Sequence, residues 1–174
     1  MLRTTAFVMI LLSMVFLAIG CAEQIGKKEP AAVDWKNVEL TDVATGDNFK
    51  ISDFKGKPVL LESFAVWCPT CRKQQEKIKE LHEEVGDSVV SISLDTDPNE
   101  DASQVVDHAK KYGFDWIFVI SPVELTQALI DEFSIRVVNA PSAPVILICE
   151  DGSARLLKRG VKSADELKSE IEDC

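Results

Sequence analysis

The sequence predicts one α/β domain carried on an exported, tethered N-terminus. Three observations lead there. Hydrophobic spacing along residues 34–174 alternates between a period of two and a period of 3.6. An apolar leader ends at a cysteine, and the 174 residues, 46% apolar and 28% charged, suit a single domain plus a short extension. Eight glycines and seven prolines are too few for a collagenous or proline-rich disordered chain. Nineteen basic against 29 acidic residues give a net charge of −10, a surface that repels phosphate and disfavours nucleic acid.

Residues 1–20 read as an export signal. Arg3 supplies the positive start, and Ala6 to Ile19 is apolar apart from Ser13 and shorter than the roughly 20 residues that cross a bilayer. Residues 21–33, with Lys27, Lys28, Glu29 and Pro30, show no apolar period and form a tether. Asn37 to Ile51 is a hairpin turning at Thr45-Gly46-Asp47-Asn48, and Pro58 to Ala65 is a buried strand. A helix follows with Cys71, Ile78, Leu81 and Val85 on one face and Gly86 as its cap. Ser88 to Leu94 is a strand. Asp97-Pro98-Asn99-Glu100 then reads as a helix start, for a helix burying Ala102, Val105, Val106 and Ala109. After the strand Trp116 to Ile120, Ser121-Pro122-Val123-Glu124 repeats that pattern before Leu125, Ala128, Leu129 and Phe133. Pro144 to Cys149 and Ala154 to Lys158 flank the turn Glu150-Asp151-Gly152, and Ser163-Ala164-Asp165-Glu166 caps a last helix presenting Leu167, Ile171 and Cys174.

Cysteine chemistry dominates what the chain can do. Cys68 and Cys71, three positions apart at the opening of a helix, can close a small disulfide. Cys68 sits where unpaired N–H groups and the helix dipole favour a thiolate, so it is the nucleophile and Cys71 the resolving thiol. Haem attachment needs a histidine after the second cysteine, where Arg72 stands. A zinc site needs two more ligands, and neither Cys149 in mid-strand nor Cys174 at the chain end has a near partner. His82 and His108, on helices beside charged neighbours, read as solvated. Cys149 reads as an inert buried thiol, and Cys174 as a packed one that fraying would open to pairing. No cofactor or metal is expected. Trp67, beside Cys68, offers an apolar landing surface for substrate.

Leu17-Ala18-Ile19-Gly20-Cys21 resembles a bacterial lipobox, with Ala18 where leucine is commoner, and implies lipidation of Cys21. Phe64-Ala65-Val66-Trp67-Cys68-Pro69-Thr70-Cys71, the preceding Asp53 to Val59, Phe133 to Arg136 and Pro144 to Gly152 resemble the thioredoxin superfamily, in its membrane-tethered TlpA and ResA branch. The resemblance implies a thioredoxin fold, a mixed central sheet flanked by helices, with an N-terminal β-hairpin and a central helix–strand insertion over Asp97 to Ile120. It puts Glu62 where that superfamily keeps a buried acid that exchanges protons with the resolving cysteine, although the partner lysine has no counterpart in Val89 to Leu94. It also makes Pro144, following Ala143, the cis-proline whose neighbouring backbone pairs with substrate. Pro141 is the rival, in a loop, Val137 to Ala143, longer than the family's.

The implied protein is an extracytoplasmic, lipid-anchored thiol:disulfide oxidoreductase. It reduces disulfides of exported proteins, in cytochrome c maturation among other settings, and is re-reduced by a membrane electron carrier. The alternatives are a disulfide oxidase or isomerase, a copper-delivery module using the same cysteines, and a purely structural disulfide domain. A peroxidase is disfavoured, because Leu61 and Ala65 stand where peroxiredoxins carry proline and threonine.

Overall fold

In the computed structural model the described residues are 33–174; the export signal, Cys21 and the tether up to residue 32 lie outside them. β1 (Glu39–Thr41) and β2 (Asn48–Lys50) form the expected antiparallel hairpin. The central sheet uses β3 (Val59–Phe64), β4 (Val90–Asp95), β5 (Ile117–Ile120), β6 (Val145–Ile148) and β7 (Ala154–Leu156) in the order β5-β4-β3-β6-β7. Pairing is parallel from β3 to β5 and antiparallel from β3 through β6 to β7, so the sheet is mixed. The helices are α1 (Pro69–Val85), α2 (Ala102–Tyr112), α3 (Val123–Phe133) and α4 (Ala164–Glu172).

Strand alternation distributes the core. Val59 and Leu61 of β3, with Ile92 and Leu94 of β4, pack under α3 and the hairpin against Leu125, Leu129, Leu40 and Trp35. Leu60 on the opposite face meets Ile78 and Leu81 of α1 and Leu167 of α4. Phe64 joins Cys68, Cys71, Val105 and Phe118 in a third cluster beneath α2. The polar half of β4, Ser91, Ser93 and Asp95, is buried rather than solvated, because α1 and α2 cover that face as well. Register sets Ser93 beside Glu62 on β3.

Several expectations need correction. α2 begins at Ala102 and not at Pro98: the Asp101 carboxylate accepts from Gln104 N, and the Gln104 side chain returns to Asp101 N, while the Asp97 carboxylate is engaged elsewhere. Shifting the start turns Ala102 outward and leaves Val106 half-buried, so the covered face is Val105, His108 and Ala109. His108 is thus buried among aromatic rings, with Nε2 2.7 Å from Gln75 Oε1, and burial pushes it down to about 4. α3 has no side-chain cap, since Ser121 pairs with Thr126 instead. Cys149 and Cys174 are not free thiols. They form a second disulfide, which becomes possible because α4 returns the chain end to the end of β6. At α1 and α4 the expected caps stand, on Cys68, Gly86 and Ser163.

Candidate active site

β3 carries the chain into a tight turn, with Cys68 N donating to Ala65 O at 3.0 Å, and Cys68 becomes the N-cap of α1 with Pro69 as first helical residue. Proline suits that position, where its missing N–H has no partner to lose. Cys68 is bonded to Cys71, and its Sγ accepts from Cys71 N at 3.1 Å, the helix-end bond that stabilises sulfur charge once the pair opens. Both cysteines are covered: Cys68 is 1% and Cys71 0% exposed. Ala140 packs in the same cluster, and its carbonyl oxygen lies 3.1 Å from Cys71 Sγ, placed to accept from the thiol in the reduced state. Trp67, beside them, is 60% exposed.

Glu62 is fully buried on the α1 side of β3. Ser93 Oγ donates to its Oε2 at 3.0 Å, and Trp116 Nε1 donates to Ser93 at 3.0 Å, fixing that oxygen. Burial pushes the carboxyl up to about 8, against the opposing pull of Ser93, Gln75 and the Lys162 ammonium. Among the described residues no hydrogen bond joins Glu62 directly to Cys71. A buried lysine whose charge acts on Glu62 comes from the segment before α4. Lys162, also fully buried, donates from Nζ to Ala143 O at 2.5 Å and Gly160 O at 2.8 Å. Gln74 of α1 holds its backbone through Lys162 N (2.8 Å) and Lys162 O (3.2 Å). Burial lowers the Lys162 ammonium to about 8, with Glu62 and Glu166 opposing the fall.

The loop from β4 to α2 braces the redox turn. Val66 N donates to Glu100 Oε2 at 2.7 Å, Trp67 Nε1 to Asp97 Oδ2 at 2.6 Å, and Thr96 N to Phe64 O at 3.0 Å. Asp95, at the end of β4, is driven up to about 7 by burial and by the neighbouring Glu100 and Asp97 carboxyls.

The structure brings Glu62, Trp67, Cys68 and Cys71 into one region but treats Ala143 and Pro144 otherwise than expected. Both are buried, the peptide bonds of the described residues are all trans, and the Ala143 backbone is occupied, its N–H by Ala140 O and its carbonyl by Lys162. The long loop explains this. Residues Ile135–Val138 and Ala140–Ser142 wind into 3-10 turns, and Ala143 takes a left-handed φ of 47°, which draws Pro144 into the start of β6. Ala140 is the loop residue beside the cysteines, and Pro141, which follows it, is exposed. Sequence reasoning also missed Gln74 and Gln75, whose signal was available: they fill the gap of seven between Cys71 and Ile78 on the buried face of α1. Lys162 and Glu100 carry no comparable local signal.

A mixed five-stranded sheet with a Cys-x-x-Cys pair at a helix N-terminus and a buried acid beneath it defines a thioredoxin-fold domain. The family model described as Redoxin matches residues 24–173, and the chain belongs to that family. Within the thioredoxin superfamily it is ResA-like. Over 90 residues it is 34% identical to a thiol-disulfide oxidoreductase ResA of Bacillus cereus, covering 51% of this chain and 47% of that one, so the chain spans about half the length of the curated relatives it matches. Among solved structures, a thiol:disulfide interchange protein of Chlorobium tepidum TLS superposes with a TM-score of 0.64 at 19% identity, covering 78% of this chain and 91% of that one. BsSco, of the Sco family of cytochrome c oxidase assembly proteins, gives 0.63 at 20%, covering 83% and 95%.

Proposed function

We propose that the protein is an exported, lipid-anchored thiol:disulfide oxidoreductase that reduces disulfides of exported proteins, apocytochrome c among them. The observation that carries this reading is the Cys68–Cys71 pair at the start of α1, with its sulfur-to-amide bond, above a buried acid that titrates near working pH. In the reduced protein the Cys68 thiolate attacks one sulfur of the partner's disulfide, forming a mixed disulfide and releasing the partner's other sulfur as a thiolate. Cys71 gives its proton, through water, to ionised Glu62 and attacks Cys68 Sγ. The second partner thiolate leaves, the partner has gained two electrons, and Cys68–Cys71 is again a disulfide. A membrane electron carrier restores the thiols. Because Ala140 and its neighbours cover both sulfurs, each exchange also requires that segment to move aside.

Ala143 and Pro144 have no direct contact with substrate in this scheme; their backbone holds Lys162 and β6. Cys21 supplies the anchor, so Cys21→Ser should release the protein from membranes or leave an uncleaved precursor. The deciding experiment is the reduction potential of the Cys68–Cys71 pair with capture of partners on Cys71→Ser. A potential near the thioredoxin value of about −270 mV, with exported proteins trapped on Cys68, fits a reductase. A potential near about −120 mV, typical of a strong oxidant, would reverse the direction.

A further inference from the structure

The loop from β4 to α2 and the start of α3 enclose a cleft of about 450 Å³ that the redox chemistry does not use. Three carboxyls line it, Asp95, Asp97 and Glu100, and neither a lysine nor an arginine does. Facing them from α3 are uncharged Thr126 and Gln127, and Val123 at the rim is 86% exposed. The groups of the redox turn that touch this loop, Val66 N and the Trp67 indole, are uncharged as well.

The carboxyl oxygens are unevenly employed. Asp97 is spent on Trp67 and Asn99, and Glu100 Oε2 on Val66 N. Asp95 Oδ1 accepts from Asp97 N at 2.9 Å. Asp95 Oδ2 accepts from no N–H or hydroxyl donor, although the residue is only 1% exposed and borders the cleft; the Glu100 carboxyl lies within hydrogen-bond reach of Asp95, so the two can share a proton. A buried carboxylate oxygen without a donor is costly, and a second acid beside it increases the cost. Asp95 accordingly holds its proton up to about pH 7. The α3 N-terminus, which lacks a side-chain cap, offers only a partial positive charge. Once that shared proton is lost, above about pH 7, the component missing from the carboxylate pair is a full cation with N–H donors.

We propose that this cleft receives the lysine or arginine side chain of a residue flanking the disulfide in the partner polypeptide. The inference rests on the oxidoreductase reading and specifies the partner's chemistry. A side chain fits better than a metal ion, because the space is large, Val123 gives an apolar rim for the methylene stem, and no cluster of three metal-ligating groups occurs among the described residues. Location supports the same occupant. Asp97 holds Trp67, next to Cys68, so a polypeptide lying across the exposed indole reaches the cleft and the sulfur together. An incoming guanidinium would displace the Asp95 proton and form charge-assisted bonds to Asp95 and Glu100.

The test compares two peptides, each with one disulfide, that differ only in arginine or neutral citrulline beside a cysteine. Mixed-disulfide formation with reduced Cys71→Ser protein is measured at low salt. The arginine peptide should react about tenfold faster at pH 8, equivalent to about 1.4 kcal/mol. The ratio should shrink at pH 6, where Asp95 is protonated, and in high salt. Glu100→Gln keeps an acceptor for Val66 N and should bring the ratio near one, as should Asp95→Asn. Glu83→Gln, the same charge change on the exposed face of α1, should leave it unchanged. A ratio of one in the parent, or an equal drop in Glu83→Gln, overturns the proposal. Binding of the same peptides with both cysteines replaced by serine separates the two readings. Selective, Glu100-dependent binding of the arginine version by a protein that forms no mixed disulfide would uphold the cleft and overturn the oxidoreductase function.

Discussion

The protein holds two disulfides whose α-carbons are equally far apart, 5.4 Å in each, and whose surroundings differ in nearly every other respect. Cys68–Cys71 spans three positions at the amino end of α1, where free N–H groups stabilise a thiolate, and it lies above Glu62 in the interior. Cys149–Cys174 spans 25 positions and ties the end of β6 to the chain just beyond the carboxyl end of α4. There the helix dipole opposes a thiolate, and Cys149 is fixed by backbone bonds from Cys149 N to Ser153 O and from Gly152 N to Cys149 O. A small ring at the positive end of a helix is suited to exchange. A long ring at the negative end constrains the unfolded chain.

Removing a sulfur from each pair in turn breaks the comparison most directly. Cys68→Ser should lower disulfide-reductase turnover by at least about a thousandfold, because no other residue supplies the helix-end thiolate. Cys71→Ser should accumulate mixed disulfide on Cys68. Mass spectrometry of trapped complexes checks both, and partners found chiefly on Cys71 would invert the roles. Proton handling should likewise belong to the first pair alone. Glu62→Gln keeps the shape and the Ser93 contact but cannot titrate, and it should slow decay of the mixed disulfide about a hundredfold while leaving the first attack nearly unchanged. A decay rate and pH profile that overlay the parent's would make Glu62 structural.

Cys174→Ser should act oppositely. Opening a 25-residue separation is expected to cost about 3 kcal/mol in denaturant unfolding, with the rate of attack by Cys68 within about twofold of the parent. A large loss of rate without loss of stability would mean that the second pair takes part in redox relay.

How far these contrasts could be read in the sequence follows from how local their causes are. The order of strands and helices, the hairpin and the Ser163 cap rest on neighbours within a few residues, and so does the placing of Cys68 at a helix start. Glu62 was legible through the family resemblance, which puts a buried acid at that position of an otherwise apolar strand. The Cys149–Cys174 bond was not, since it depends on where α4 returns the chain, and neither was the burial of His108, which depends on α2 starting four residues later than Asp97-Pro98 suggested. The resemblance preferred Pro144 over Pro141 because the spacing from Pro144 to Gly152 matches that of thioredoxin. The two 3-10 turns alter what that distance means, and a positive φ at Ala143, which costs a non-glycine residue about 1–2 kcal/mol, has no sequence signature.

The smallest expected effect concerns Lys162, whose charge acts on Glu62 from a distant stretch of chain. Glu62 binds its proton more tightly folded, near 8, than the ordinary 4.5, so its contribution to stability is full below about pH 4.5 and is lost as pH rises toward 8. The Lys162 ammonium is depressed from 10.5 to about 8, so its penalty is present below 8 and lifts as pH rises toward 10.5. Together the two groups give the parent a local minimum of stability near pH 8. Lys162→Met removes the rising branch and, by withdrawing a positive charge that lowers the Glu62 pKa, should move the pH midpoint of mixed-disulfide decay to higher pH. Lost bonds to Ala143 and Gly160 would also reduce stability at every pH, so the midpoint and not the stability is the discriminating measurement. Lys162→Arg, which keeps the charge, should restore part of the shift, and a midpoint identical in Lys162→Met and parent would show that Glu62 titrates without sensing Lys162.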